Sequence, residues 1–317
     1  MSRRSVSRLT TGACIVLALA ATIAARAQDL YVSAGAAGTI YKLTPSGAID
    51  GQISSGLLYA YGLAFDSSGN LYANDGDSSV VKLTPGGAAS TFTTSLSRAR
   101  EMAVDSAGNL YVATDGFTGS TANTSGAILK FTPGGTQSVF ASGLVAAGWG
   151  LPEGLAFDSA GNLYVSTYAD TGVITSSVLE FSPNGQETVV AENENGFVRG
   201  LAFDNSGNLY QANWGQDDGN GFIEEGSSVF ASGLNSPLGM AFDVAGNLYE
   251  SDPAATISKF DPSGVETSFN SQITGTGQLA FAPLATPEPG SLALLVSAGI
   301  AGAVFLRRAR FWPRHLD

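Results

Sequence analysis

The sequence predicts an all-β fold: a six-bladed β-propeller closed by its own N- and C-terminal strands, flanked by an N-terminal signal peptide and a C-terminal transmembrane sorting helix. Three observations carry this reading. Residues Gly62–Tyr72 spell G-L-A-F-D-S-S-G-N-L-Y, and the phrase returns in stretches ending at Tyr111, Tyr164, Tyr210 and Tyr249. Its alanines, Ala64, Ala103, Ala156, Ala202, Ala241 and Ala280, follow one another at 39, 53, 46, 39 and 39 residues, and a unit near 40 residues is the period of a propeller blade. Forty glycines and twelve prolines in 317 residues imply many short elements joined by turns. Charged residues make up only 13% and mean hydropathy is +0.13, which excludes a disordered chain or a charge-laced coiled coil. With 44% apolar side chains, the chain has enough material for one or two packed domains.

Taken in chain order, residues 1–27 read as an address. Arg3-Arg4 precedes an apolar run from Ala13 to Ala25, and Ala25-Arg26-Ala27 forms an A-x-A cleavage site. This is the layout of a secretory signal peptide, with an apolar run too short to span a bilayer permanently. The two arginines also raise a twin-arginine route, although Ser5-Val6-Ser7 lacks that motif's continuation. Cleavage would start the mature chain at Gln28 and remove Cys14, the only cysteine.

Residues 28–284 form the propeller. In each unit an apolar run such as Leu63–Phe65 makes a first strand, Asp-x-x-Gly-Asn supplies the positive φ of a tight hairpin at Gly and Asn, and Leu71-Tyr72 opens a second strand. A third strand ends in the Pro-Gly turn Leu83–Gly87, recurring at Leu43–Gly47, Phe131–Gly135, Phe181–Gly185 and Phe260–Gly264. The fifth unit departs, with Phe222–Gly226 in that place. Leu30-Tyr31 begins at a second strand with no first strand before it, and Gln278–Ala282 is a first strand with nothing after it. Joined, they complete one blade, for six in all, and remove the open sheet edges that pair with other chains.

Residues 285–317 are a second address. Pro287-Glu288-Pro289 is followed by the apolar Ser291–Leu306, then Arg307, Arg308 and Arg310. The apolar run is marginal for crossing a bilayer, which takes about twenty residues. Arginines after it stay cytoplasmic, which places the propeller on the other side.

The net charge of −12 averages unlike parts: residues 28–286 carry 25 acidic and 7 basic side chains. At −18, the body is not expected to bind nucleic acid, which needs a basic stripe. The single histidine, His315, lies in the tail, so the processed body has neither His nor Cys. A Ser-His-Asp or Cys-His site, or a zinc site of His or thiolate, cannot be built from it.

Two kinds of loop face define the working side. The Asp-x-x-Gly-Asn and Pro-Gly hairpins hardly vary in length, whereas the insertions (Tyr111 to Phe131, before Ala156, and Tyr164 to Phe181) fall on the opposite face. Such a pattern marks a binding face or neutral loop drift. On it, the heads of the first strands place Tyr61, Arg100, Glu153, Arg199, Leu238 and Gly277 around the channel mouth, with Glu101 beside them. Second strands end there at Asn74-Asp75, Asp115, Tyr168, Asn213-Trp214 and Asp252. Candidate binding residues are therefore Arg100, Glu101, Glu153, Arg199, Trp149, Tyr168, Asn213 and Trp214. The arginines suit a carboxylated or sugar ligand, or structural ion pairs with Glu101 and Glu153. The aromatic side chains offer stacking surfaces. A glycosidase pair of Glu101 and Glu153 is conceivable, but no spacing establishes the separation it needs.

The phrase G-L-A-F-D-x-x-G-N-L-Y, followed by a strand and a Pro-Gly turn, resembles NHL-repeat and SMP-30/gluconolactonase-like six-bladed propellers. The resemblance covers about residues 30–284 and speaks to fold more than activity. It implies an alternative to a non-catalytic binding or scaffold role: a calcium-dependent, lactonase-type hydrolase. The metal would be held by Glu153, Asn213 and Asp252, with Arg100 and Arg199 as neighbours that repel a cation. The activity of streptogramin-lyase-type relatives, which use histidine, is not expected. The C-terminal Pro-Glu-Pro, helix and arginine cluster resemble the PEP-CTERM sorting signal of exopolysaccharide-producing Gram-negative bacteria. That signal implies processing by an exosortase, transient anchoring in the inner membrane and passage from the periplasm to the cell surface or biofilm matrix. Polysaccharide or surface proteins are the partners it implies.

Overall fold

The structure, a computed structural model, describes residues 28–284 apart from 35–37, 54–56, 77, 95, 118–125, 171–173, 194–195, 216–219, 253–255 and 274. The signal peptide expected at 1–27 and the sorting signal expected at 285–317, with Pro287, Glu288, Pro289, Arg307, Arg308 and Arg310, lie outside the described residues. Among the described residues, no helix is long and apolar enough to cross a membrane.

Six four-stranded antiparallel sheets make up the described chain. Blade 1 holds β1 (Leu30–Ala34), β2 (Thr39–Leu43) and β3 (Ile49–Ile53). Blade 2 is β4 (Leu63–Phe65), β5 (Leu71–Asp75), β6 (Ser79–Leu83) and β7 (Ala89–Thr93). Blade 3 is β8 (Leu96–Val104), β9 (Leu110–Phe117), β10 (Ala127–Phe131) and β11 (Gln137–Ser142). Blade 4 is β12 (Leu151–Phe157), β13 (Leu163–Asp170), β14 (Ile174–Phe181) and β15 (Glu187–Asn193). Blade 5 is β16 (Phe197–Phe203), β17 (Leu209–Trp214), β18 (Gly221–Glu225) and β19 (Ser228–Leu234). Blade 6 is β20 (Gly239–Phe242), β21 (Leu248–Asp252), β22 (Thr256–Phe260) and β23 (Glu266–Asn270). The last strand, β24 (Thr276–Phe281), completes blade 1 in the order β24-β1-β2-β3, with Leu30 opposite Phe281 and Tyr31 opposite Ala280. The predicted closure by both chain ends is therefore the one observed.

The repeated phrase has a physical reason at each letter. Its Asp accepts three hydrogen bonds within the hairpin: Asp66 Oδ1 takes the N–H groups of Ser68 (3.0 Å) and Asn70 (2.9 Å), and Oδ2 takes Asn70 Nδ2 (2.7 Å). The same set recurs at Asp105, Asp158, Asp204 and Asp243. Positive φ was expected at both Gly and Asn, but only the glycine adopts it, as at Gly69 (φ 80°). The Asn serves through its side chain instead, stapling the turn to the Asp. The Phe of one blade meets the Tyr of the blade before it edge-on: Phe65 on Tyr31, Phe157 on Tyr111, Phe203 on Tyr164, Phe242 on Tyr210 and Phe281 on Tyr249, all with centroids about 5 Å apart. Edge-to-face pairs contribute roughly 0.5–1.5 kcal/mol each beyond area burial. Between blades 2 and 3 the Phe is replaced by Val104, packed with Tyr72 in one apolar cluster.

Candidate functional site

The innermost strands are irregular at the mouth, and that irregularity aims the candidate side chains. Register shifts between Ala99 and Met102, Pro152 and Leu155, and Val198 and Leu201 leave Arg100-Glu101, Glu153-Gly154 and Arg199-Gly200 as two residues against one. A bulge of this kind bends a strand and redirects a side chain. Side chains of the preceding blade's second strand then fix these positions. Ser33 Oγ donates to the Tyr61 carbonyl (2.7 Å), Asn74 Nδ2 to the Arg100 carbonyl (3.3 Å) and Ser166 Oγ to the Arg199 carbonyl (3.1 Å). The glycine after the mouth residue is required by this approach. A Cβ on Gly62, Gly154 or Gly200 would collide with the carbonyl oxygen of Arg100, Arg199 or Leu238 of the next blade.

A cavity of about 480 Å³ opens at this face, lined by Tyr59, Tyr61, Arg98, Ala99, Arg100, Glu153, Arg199 and Gly76. Arg100 is the centre of a charge network, its Nε 3.0 Å from Asp115 Oδ1 and its Nη1 in contact with Glu153 Oε1. Arg98, on a residue with φ 48°, reaches the other oxygen of Asp115 at 3.3 Å. The expected ion pairing thus forms at Arg100, with Glu153 and Asp115 as partners rather than Glu101. Burial alone would lower the affinity of Arg100 for its proton, but the two carboxylates outweigh it and hold the guanidinium more firmly protonated than usual. Burial raises the Glu153 pKa, and Arg100 only partly offsets the rise.

Glu101 lies beneath this network and is buried. Burial lifts its pKa well above the carboxylate range, against one hydrogen bond from the Leu155 N–H, and its Oε2 has no partner. Tyr61 is pushed upward by burial too, with Arg199, Glu153, Glu101 and Arg100 all within electrostatic reach of its hydroxyl. Arg199 is held differently from Arg100. Its guanidinium lies 4.4 Å from the Trp214 ring and 4.7 Å from Phe197, and Phe197 in turn packs on Tyr168 at 4.3 Å.

The structure therefore gathers Tyr61, Arg100, Glu153 and Arg199, with Trp214 and Tyr168 behind Arg199. It does not bring every candidate there. Trp149 packs on the apolar cluster between blades 3 and 4 and donates its indole N–H to Glu187 on the outermost strand (2.8 Å). Asn213 is fully buried, its amide directed to Glu224 Oε2 (3.2 Å) and the Gln211 carbonyl (3.4 Å). Of the trio Glu153, Asn213 and Asp252, the Glu153 carboxylate is already engaged by the Arg100 guanidinium, which competes with a cation for it. Among the described residues, no group of three or more His, Cys, Asp or Glu side chains is placed so that it could hold a metal ion.

Sequence reasoning missed Arg98 and Tyr59. Tyr59 stacks parallel on Tyr61 (6.4 Å, 11°) in the segment leading into blade 2, with its carbonyl accepting the Gly76 N–H (2.9 Å). No motif marks that segment; only its tyrosine pair, separated by one residue, was available as a signal.

Three comparisons bear on this arrangement. The family model described as the SMP-30/Gluconolactonase/LRE-like region matches residues 18–234. No curated protein sequence matches the chain. Among solved structures, a protein provisionally assigned as a gluconolactonase shares 16% identity over 80% of this chain and 92% of its own, with a TM-score of 0.50. A gluconolactonase of Xanthomonas campestris shares 15% over 71% of this chain and 79% of its own (TM-score 0.56), and TolB of Acinetobacter baumannii shares 10% over 81% and 66% (TM-score 0.58). At these identities the structural likeness speaks to the fold alone.

Proposed function

The chain belongs to the SMP-30/gluconolactonase/LRE-like family, and from that premise we propose that it works as an exported binding module whose channel-mouth pocket takes a small sugar-derived ligand. The observation that carries this is the Arg100 network: the glutamate at the mouth is committed to a guanidinium, so the pocket offers fixed donors and acceptors instead of a free metal-binding carboxylate. Such fixed polar groups beside the Tyr59–Tyr61 pair suit hydroxyl-bearing rings. The addresses at 1–27 and 285–317 extend the proposal to place and partners: the periplasm and then the cell surface, processing by an exosortase, and polysaccharide or surface protein as the larger assembly.

Family membership favours a second reading, hydrolysis of a sugar lactone in the same pocket. One experiment separates the two. Full-length protein and Glu153→Ala are titrated calorimetrically with monosaccharides, their lactones and their acids, and assayed for lactone turnover with calcium and with chelator. Micromolar binding that Glu153→Ala abolishes, without turnover, supports the binding module. Turnover that calcium stimulates and Glu153→Ala removes would establish the hydrolase in its place.

A further inference from the structure

We infer that the pocket reads a carboxylate through Arg199, so that its preferred ligands are sugar acids rather than neutral sugars. The inference rests on the sugar-ligand reading of the pocket. Of the three arginines lining the cavity, Arg98 and Arg100 are neutralised by Asp115 and Glu153. Arg199 makes no ion pair among the described residues, and its Nε is buried without a hydrogen-bond partner. A buried guanidinium N–H with nothing to donate to is costly, and the charge of Arg199 stays uncompensated where the side chain lines the cavity.

The aromatic setting narrows the ligand further. Trp214 and Phe197 occupy the π-surroundings of the guanidinium, which leaves its planar edge as the recognition element. Two parallel N–H donors on such an edge match the two oxygens of a carboxylate. The charged side chains of the lining and its network, Arg98, Arg100 and Arg199 against Glu153 and Asp115, sum to one positive charge in a body that stands at −18. Arg199 is the lining cation that carries no carboxylate partner of its own within that network. The stacked Tyr59–Tyr61 pair lines the same cavity and offers a face to the sugar ring.

The test is calorimetric titration of the full-length protein with galacturonate and gluconate against their uncharged counterparts galactose and sorbitol, repeated on Arg199→Gln, with thermal melts confirming that the variant is folded. The wild type is expected to bind the acids about tenfold or more tighter than the neutral partners, the range that hydrogen bonds to charged groups provide. Arg199→Gln is expected to abolish that preference, so that each acid and its neutral partner bind the variant with equal affinity. Equal wild-type affinity for acid and neutral partner overturns the inference while the sugar-binding pocket stands, and this comparison does not depend on the variant folding. A preference that survives in Arg199→Gln overturns it as well. Failure of all four ligands to bind brings down the pocket reading together with it.

Discussion

Glu250 allows a sharp test of how this propeller tolerates buried charge. It sits on β21 at a position filled by Val32, Ala73, Val112, Val165 and Gln211 in the other five blades, is 2% exposed, and leaves Oε1 without a partner. Burial, reinforced by Asp252 and Glu266, pushes its pKa from 4.5 to about 8. In the unfolded chain the group ionises near 4.5, so between that pH and about 8 the folded state holds a proton that the unfolded state has lost. Stability therefore falls as pH rises through this window and levels off above it. At about 1.4 kcal/mol per pH unit, the interval from 4.5 to about 8 amounts to about 5 kcal/mol, an upper figure if the side chain relaxes toward water. Glu250→Gln keeps the shape of the neutral acid and removes the titration. Urea denaturation from pH 4.5 to 8.5 should give wild-type and variant curves that run together at the acid end and diverge steadily above it, with the variant the more stable. Parallel curves across the range would refute the buried-acid argument, because Glu101 and Glu153 titrate identically in both proteins.

Two other perturbations probe the architecture. Deleting residues 276–284 removes β24 and leaves β1 as an open innermost edge, so loss of the cooperative melt and of solubility is expected by calorimetry and light scattering; a soluble, cooperatively folding variant would contradict closure. Gly154→Ala would push a methyl into the Arg199 carbonyl and to 2.8 Å from Ser166 Oγ. Overpacking of this kind costs roughly 1–3 kcal/mol, read as a lowered denaturant midpoint, while Gly51→Ala, which meets nothing within 4 Å, should be neutral or slightly stabilising.

The blade count, the strand order and the closure were legible because each copy of the phrase encodes a local turn and an interblade ring contact, both short-range consequences of residue type. The mouth positions of Arg100, Glu153 and Arg199 were legible for the same reason, since they precede the repeated Gly-Leu-Ala-Phe or its variant. What their side chains do was not. Arg100 and Arg199 occupy equivalent positions, yet one is enclosed by carboxylates and the other by rings, because Asp115 lies near the first and Phe197 and Trp214 near the second. Asp115, Phe197 and Trp214 belong to the same blade as the arginine they touch and only Glu153 comes from the next one, so the two environments differ in what each blade's own strands carry. Trp149 and Asn213 were placed on the correct loops and strand ends, but only packing decides that the indole serves the rim and the amide faces inward. Aligning the second strands by their tyrosines would have exposed Glu250 as the one acid at a position that holds three valines, an alanine and a glutamine in the other blades.

The pairing of Leu30 with Phe281 has a geometric consequence for handling the molecule. In the other blades this register spans the Asp-x-x-Gly-Asn turn, as Phe65 and Leu71 do across Asp66–Asn70. Both ends of the propeller therefore depart from the turn-bearing side, where Gln28 Nε2 donates to the Ala282 carbonyl (2.9 Å) and Ala282 N–H to the Asp29 carbonyl (3.1 Å). The cavity opens on the reverse side. A reporter fused directly to Gln28 or Ala282 therefore starts from the face opposite the pocket.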